Sequence, residues 1–203
     1  MLQALQTLIE RGGPVMWPLI GLSIVGLALS LERALVYFAT SRGSRVQRLR
    51  EITRAVRSGN REAADRFAKK DRSIYGALIS QMLDGPVSES AGEEAVDEQR
   101  MRLERFLPLL STIITAAPML GILGTVLGII EAFQEMSQQG GTPDMAQVGA
   151  AIGEALISTA AGIVVALLVL LPYATFRAQI DRATSRMENL AAAAVDGLKD
   201  ASQ

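Results

Sequence analysis

The sequence predicts an all-α integral membrane protein with three transmembrane helices, two of them extended into the cytoplasm. Two observations carry that expectation. Val15 to Leu31, Leu107 to Phe133 and Gly149 to Phe176 are apolar runs of the length a helix needs to cross a hydrocarbon core, ~17–25 residues. Between and after them, apolar residues recur three and four apart, and no stretch alternates as a strand would.

The elements follow in order. Residues 1–13 suit an amphipathic segment on the outer membrane surface, with Leu2, Leu5, Leu8 and Ile9 on one side. Little positive charge precedes the first apolar run and no small-residue cleavage site follows it, so that run is expected to stay as an anchor. Gly12, Gly13 and Pro14 break the chain before the first transmembrane helix, 14–40. Residues 41–92 are expected to form a cytoplasmic helical domain. One of its stripes is Leu49, Ile52, Ala55 and Val56, and another is Ile74, Leu78, Ile79 and Met82. Asp84 to Gly92, with Gly85 and Pro86, reads as a loop. Residues 93–136 are expected as one long helix that includes the second span. Ala95, Met101, Leu103 and Phe106 keep its spacing, and membrane helices tolerate prolines such as Pro108 and Pro118. Gly140, Gly141 and Pro143 turn the outer loop, 137–148. The third span, 149–176, continues into a C-terminal helix, 177–203, with Ile180, Met187, Leu190 and Val195 as its apolar positions.

Charge sets the expected topology. Arg45, Arg48, Arg50, Arg54, Arg57, Lys69 and Lys70 crowd the block after span one, whereas Ser137 to Val148 has no basic residue. The positive-inside rule places the block in the cytoplasm and the short link outside. The N-terminus is then outside, and the C-terminus, with Arg177, Arg182 and Arg186, inside. Trp17, Tyr37, Phe38, Tyr173 and Phe176 sit where interfacial aromatics belong. The basic block is equally readable as a solvated face touching anionic lipid or as a partner surface. Acids interrupt it and aromatics do not interleave it, so nucleic acid is not an expected partner.

The chain has no Cys and no His, which removes thiol chemistry, disulfides, the usual proton shuttle and most transition-metal sites. No enzyme activity, cofactor or metal is expected.

Candidate functional residues lie inside the last two spans. Ser111, Thr115, Pro118 and Thr125 recur at spacings of four, three and seven, forming one polar stripe. Glu154 and Ser158 are four apart on one face of span three, and Thr159 lies to the side. At ~1.5 Å per residue, Thr125 and Thr159 each stand roughly 6–7 Å outward of their span's midpoint, so they share a depth. An intramembrane carboxylate is a functional hypothesis by default, and with the hydroxyls it suggests a water-lined pathway. Alternatives stay open: each threonine can bond its own helix's carbonyl, and Glu154 can snorkel to the outer interface. Gly121, Gly124 and Gly128 on span two, and Gly149, Gly153 and Gly162 on span three, suit close helix packing. Between Glu154 and the cytoplasmic ends the two spans hold no further Asp, Glu, Lys, Arg or His. Protons crossing there need water, hydroxyls or an acid from another protein.

Ala117-Pro118-Met119-Leu120-Gly121-Ile122-Leu123-Gly124-Thr125-Val126-Leu127-Gly128 resembles the second-span motif of the MotA/TolQ/ExbB proton-channel family. Glu154-Ala155-Leu156-Ile157-Ser158-Thr159-Ala160-Ala161-Gly162 resembles its third-span motif. Three spans match the ExbB and TolQ branch, ExbB foremost, since MotA-like stators have four. The resemblance implies a homopentamer in the bacterial inner membrane, with its outer segments periplasmic. Thr125, Glu154 and Thr159 would line a central pore. A one-span ExbD- or TolR-like partner would bring an intramembrane Asp, and a TonB- or TolA-like protein would receive the force. The sequence departs from the family late in span three. Leu167 and Leu168 follow Ala166, proline is delayed to Pro172, and Ala174 stands where Asn is usual.

Overall fold

In a computed structural model, the structure describes residues 12–40, 44–71, 73–138 and 145–200. Among the described residues there are seven helices and no strand: α1 Met16–Thr40, α2 Ser44–Arg57, α3 Arg61–Lys70, α4 Ile74–Leu83, α5 Glu89–Glu104, α6 Leu107–Gln138 and α7 Met145–Asp200. Two compact units result, Met1–Glu32 with Phe106–Ala174, and Arg33–Arg105 with Thr175–Gln203. The amphipathic segment expected near the N-terminus and the turn at Gly140, Gly141 and Pro143 lie outside the described residues.

Three helices are long and apolar enough to cross a membrane, over Met16–Leu35, Leu107–Gln134 and Val148–Leu198. The last stretch exceeds any bilayer, and its uninterrupted apolar part ends at Phe176, before Arg177. In the first unit, Val15, Met16 and Leu19 of the N-terminal segment pack on Ala117 of α6 and Ala166 of α7. Gly26 brings α1 onto α7, because a Cβ there would stand 2.6 Å from Val169 Cγ2. The outward faces carry Ile24, Leu31, Met119, Ile122, Leu167 and Leu171, all exposed. So much displayed apolar surface requires a bilayer or another apolar surface against it.

The second unit has a separate core. Ile52 and Val56 of α2, Leu78, Ile79 and Met82 of α4, Ala95 of α5, and Met187, Leu190 and Ala194 of α7 meet in it. Its helices are punctuated by local chemistry. Gly59, at φ 69°, ends α2, and Gly59 N–H and Asn60 N–H donate to the Val56 and Ala55 carbonyls. The Asn60 side chain then caps α3 by accepting from Ala63 N at 2.9 Å. Ser73 and Ser88 cap α4 and α5 in the same way. Arg61 donates to the carbonyls of Leu83 and Gly85, at 2.7 and 3.1 Å, satisfying the end of α4. On α3, the hydrogen bond from Lys69 to Asp65 raises the lysine's pKa above its ordinary value.

Four expectations need correction. The single helix over 93–136 is two helices, with Arg105 and Phe106 between them. Pro108 has no N–H for the Glu104 carbonyl, and its ring crowds that carbonyl. Proline is tolerated in a first turn, so it starts α6 rather than kinking a longer helix. The loop over Asp84–Gly92 is also shorter, because Ser88 accepts from Ala91 N at 3.2 Å and starts α5 at Glu89. Among the aromatics, Trp17 is exposed but Phe176 is buried, and the side chains of Tyr37 and Phe38 lie outside the described residues. Met101, read as an apolar-face residue, is exposed.

Gly76 offers a test of this packing. Alanine in a helix normally improves on glycine by roughly 0.5–1 kcal/mol. At Gly76, however, a Cβ would fall 2.0 Å from the Asp71 carbonyl oxygen. Gly76→Ala should therefore lower the thermal midpoint of the detergent-solubilised protein, with an overpacking cost of about 1–3 kcal/mol. Gly85→Ala, which meets nothing within 4 Å, should leave the midpoint near that of the parent.

Candidate functional site

The site is built where α6 and α7 come closest, and small residues decide how close. A Cβ on Gly121 would stand 2.8 Å from the Ser158 carbonyl oxygen and from Thr159 Cα. On Gly124 it would stand 2.3 Å from Ser158 Oγ, and on Gly128 2.8 Å from Ala155 Cβ. From the other side, a Cβ on Gly162 would meet the Ala117 carbonyl oxygen at 2.4 Å. These four glycines form one continuous seam. Gly149 and Gly153 do not join it, since among the described residues nothing lies within 4 Å of a Cβ at either position. The expected packing role of those two finds no partner among the described residues.

The close approach lets side chains of α7 reach the backbone of α6. Ser158 Oγ lies 3.0 Å from the Gly121 carbonyl oxygen and 2.8 Å from that of Ala155. Thr159 Oγ1 lies 3.0 Å from the same Gly121 carbonyl and 3.5 Å from Thr125 Oγ1. Thr125 donates to its own helix at Ile122, at 2.6 Å. The Gly121 carbonyl also accepts the ladder bond expected from Thr125 N–H. It is thus an acceptor shared by α6 itself and two hydroxyls of α7.

Each hydroxyl has one proton to donate and two lone pairs to offer. With Thr125 directed to Ile122, Thr159 divides its proton between the Gly121 carbonyl and Thr125. In either arrangement lone pairs remain open on both threonines, and both residues are half-buried rather than sealed. Ser158 differs: it is 0% exposed, and its proton is held between two carbonyls. Expected along a pathway, it belongs to the helix seam instead.

The remaining sequence candidates are placed as follows. Thr115 Oγ1 donates back to the carbonyls of Thr112 and Ser111, at 3.0 and 3.3 Å. Ser111 is half-buried and Thr115 exposed, on the same helix as Thr125 but well below it. Position 154 is in the helical part of α7, and the Glu154 side chain lies outside the described residues. It precedes Thr159 by five residues, which is about 140° around a helix at ~100° per residue. Thr125 and Thr159 are brought together. Sequence spacing missed the Gly121 carbonyl, since a backbone acceptor leaves no residue-type signal. From Phe106 to Ile130, and from Ala155 to Phe176, the chain has no Asp, Glu, Lys, Arg or His. The arrangement can pass hydrogen bonds to water but holds no charged proton carrier.

Known proteins resemble this chain over the same elements. The sequence profile of the MotA/TolQ/ExbB proton channel family matches residues 60–189. The chain is 34% identical over 189 residues to the ExbB-like 1 protein of Synechocystis sp., spanning 90% of this chain and 73% of that protein. It is 37% identical over 174 residues to the ExbB-like 3 protein of the same organism, spanning 82% and 81%. The biopolymer transport protein exbB1 of Vibrio cholerae is 28% identical over 201 residues, spanning 93% and 86%.

The seam predicts a contrast between glycines. Gly162→Ala should destabilise the solubilised protein by about 1–3 kcal/mol, because the backbone carbonyl of Ala117 cannot move aside alone. Gly149→Ala and Gly153→Ala should leave the thermal midpoint unchanged or slightly raised. Equal melting of all three variants would contradict the seam.

Proposed function

The chain belongs to the MotA/TolQ/ExbB proton channel family, and from that premise we propose that it is the ExbB-like proton-channel subunit of an energy-transducing complex in a bacterial inner membrane. Several copies, five by the family resemblance, surround a pore lined by α6 and α7. Thr125 and Thr159 carry hydrogen bonds along it, with Glu154 nearer its outer mouth. A one-span ExbD- or TolR-like protein supplies the deep carboxylate that Phe106–Ile130 and Ala155–Phe176 lack. Proton flow then drives a TonB- or TolA-like protein across the periplasm. The exposed Arg50, Arg54, Arg57 and Lys70 favour a cytoplasmic second unit, into which α7 continues.

The observation that carries this reading is the Thr159–Thr125 pair, 3.5 Å apart across two helices in a stretch without charge. Two hydroxyls at one depth, half-buried and with free lone pairs, suit a water-borne proton path. Two other readings have support. A TolQ-like role in envelope maintenance rests on the same family. A passive scaffold rests on the glycine seam, which accounts for packing without any path.

Thr125→Val with Thr159→Val keeps side-chain shape and removes both hydroxyls. In vesicles holding the complete complex, proton flux should fall by roughly tenfold or more, which is about 1.4 kcal/mol on the barrier. The mass of the oligomer should not change. Parental flux from an intact oligomer would favour the scaffold.

A further inference from the structure

Arg50, Arg54 and Arg57 stand at i, i+4 and i+7 on α2 and so share one face. Arg186 of α7 joins them around an open groove of about 790 Å³, whose other lining residues are Leu49, Thr53 and Ser58. No carboxylate lines it. Thr53 and Ser58 donate to the Leu49 and Ala55 carbonyls, at 2.7 and 2.9 Å, so guanidinium groups dominate what the groove offers. Among the described residues none of the four arginines makes an ion pair. Like charges at this spacing repel.

The same unit carries the opposite imbalance. Glu89, Glu93 and Glu94 lie exposed on α5, and none of them makes an ion pair among the described residues. The ion pairs of α5 use other acids, Glu98 with Arg102 and Glu104 with Arg100. The two patches sit at one height along α7. A Cβ on Gly92 of α5 would stand 3.4 Å from Ala191 Cβ, and one on Gly197 would stand 2.2 Å from the Val56 carbonyl of α2. Ala191 follows Arg186 by five residues, about 140° around the helix at ~100° per residue. The acidic and basic patches therefore flank α7 on opposite sides.

We propose that the arginine groove of one copy receives the acidic face of α5 from the next copy. This rests on the oligomer put forward above and names its contact outside the membrane spans. Two different patches on opposite sides make a head-to-tail contact, which closes into a ring when the rotation allows. Copies arranged around an axis parallel to α7 bring equal heights together. Charge complementarity of this kind fixes register and orientation and weakens with salt.

The absence of native cysteine makes the test clean. The full-length chain carrying Arg54→Cys and Glu93→Cys is oxidised in its membrane, and the mass of the solubilised parent oligomer is measured in parallel. The inference expects a ladder of covalent multiples from the double variant and at most a dimer from either single variant. Charge reversal supplies the second arm. Arg54→Glu with Arg57→Glu should dissociate the oligomer at lower salt than the parent, and adding Glu93→Arg with Glu94→Arg should restore it. An intact oligomer with no ladder and no response to reversal overturns this contact and leaves the proposed function standing. A ladder that stops at the dimer overturns the head-to-tail arrangement. A monomeric parent overturns the contact and the oligomer together.

Discussion

Everything in the membrane unit depends on how closely α6 and α7 approach at Gly121, Gly124 and Gly162. At Gly162 the space for a Cβ is already taken by a backbone carbonyl, at 2.4 Å. Only that proximity allows Ser158 and Thr159 to bond the Gly121 carbonyl of the facing helix. Membrane helices gain little from hydrophobicity against one another, so packing and interhelical hydrogen bonds must hold them, at ~0.6 kcal/mol per bond on average. The seam uses both. It also holds Thr159 beside Thr125, because a wider separation would leave each hydroxyl with its own helix only.

The three apolar runs, the helical class and the shared depth of Thr125 and Thr159 were legible from spacing and length. So were the stripes of α2 and α4, since Ile52, Val56, Leu78 and Ile79 have an unmistakable helical period. Less visible were features that depend on a neighbour. Pro108 reads as a kink or as a helix start depending on where the Glu104 carbonyl points. Ser158 and Thr159 look alike in sequence, yet one turns into the seam and the other to its edge. The GxxxG pairs of α6 and α7 look equivalent as well, but among the described residues only the one on α6 faces another helix. Sequence gives the spacing of small residues and not the side on which a partner lies.

The second unit is organised by different means. Its core is conventional, and its helix ends are closed by Gly59, Asn60, Ser73, Ser88 and Arg61. The basic block that marks topology in the sequence becomes, in three dimensions, a face of α2 joined by Arg186 from α7. A run of charge and a site of charge are distinguished by what a distant segment adds. Here the addition is a fourth guanidinium in a groove whose lining holds no carboxylate.

The central claim is that this chain offers hydroxyls and backbone acceptors to a proton path, and no charged carrier over its depth from Phe106 to Ile130 and from Ala155 to Phe176. Proton uptake into sealed vesicles under an imposed pH gradient tests it most directly. Vesicles holding this chain alone should show flux no greater than protein-free vesicles, and flux should appear when the proposed one-span acidic partner is co-assembled. Sustained flux through the chain alone would contradict the account.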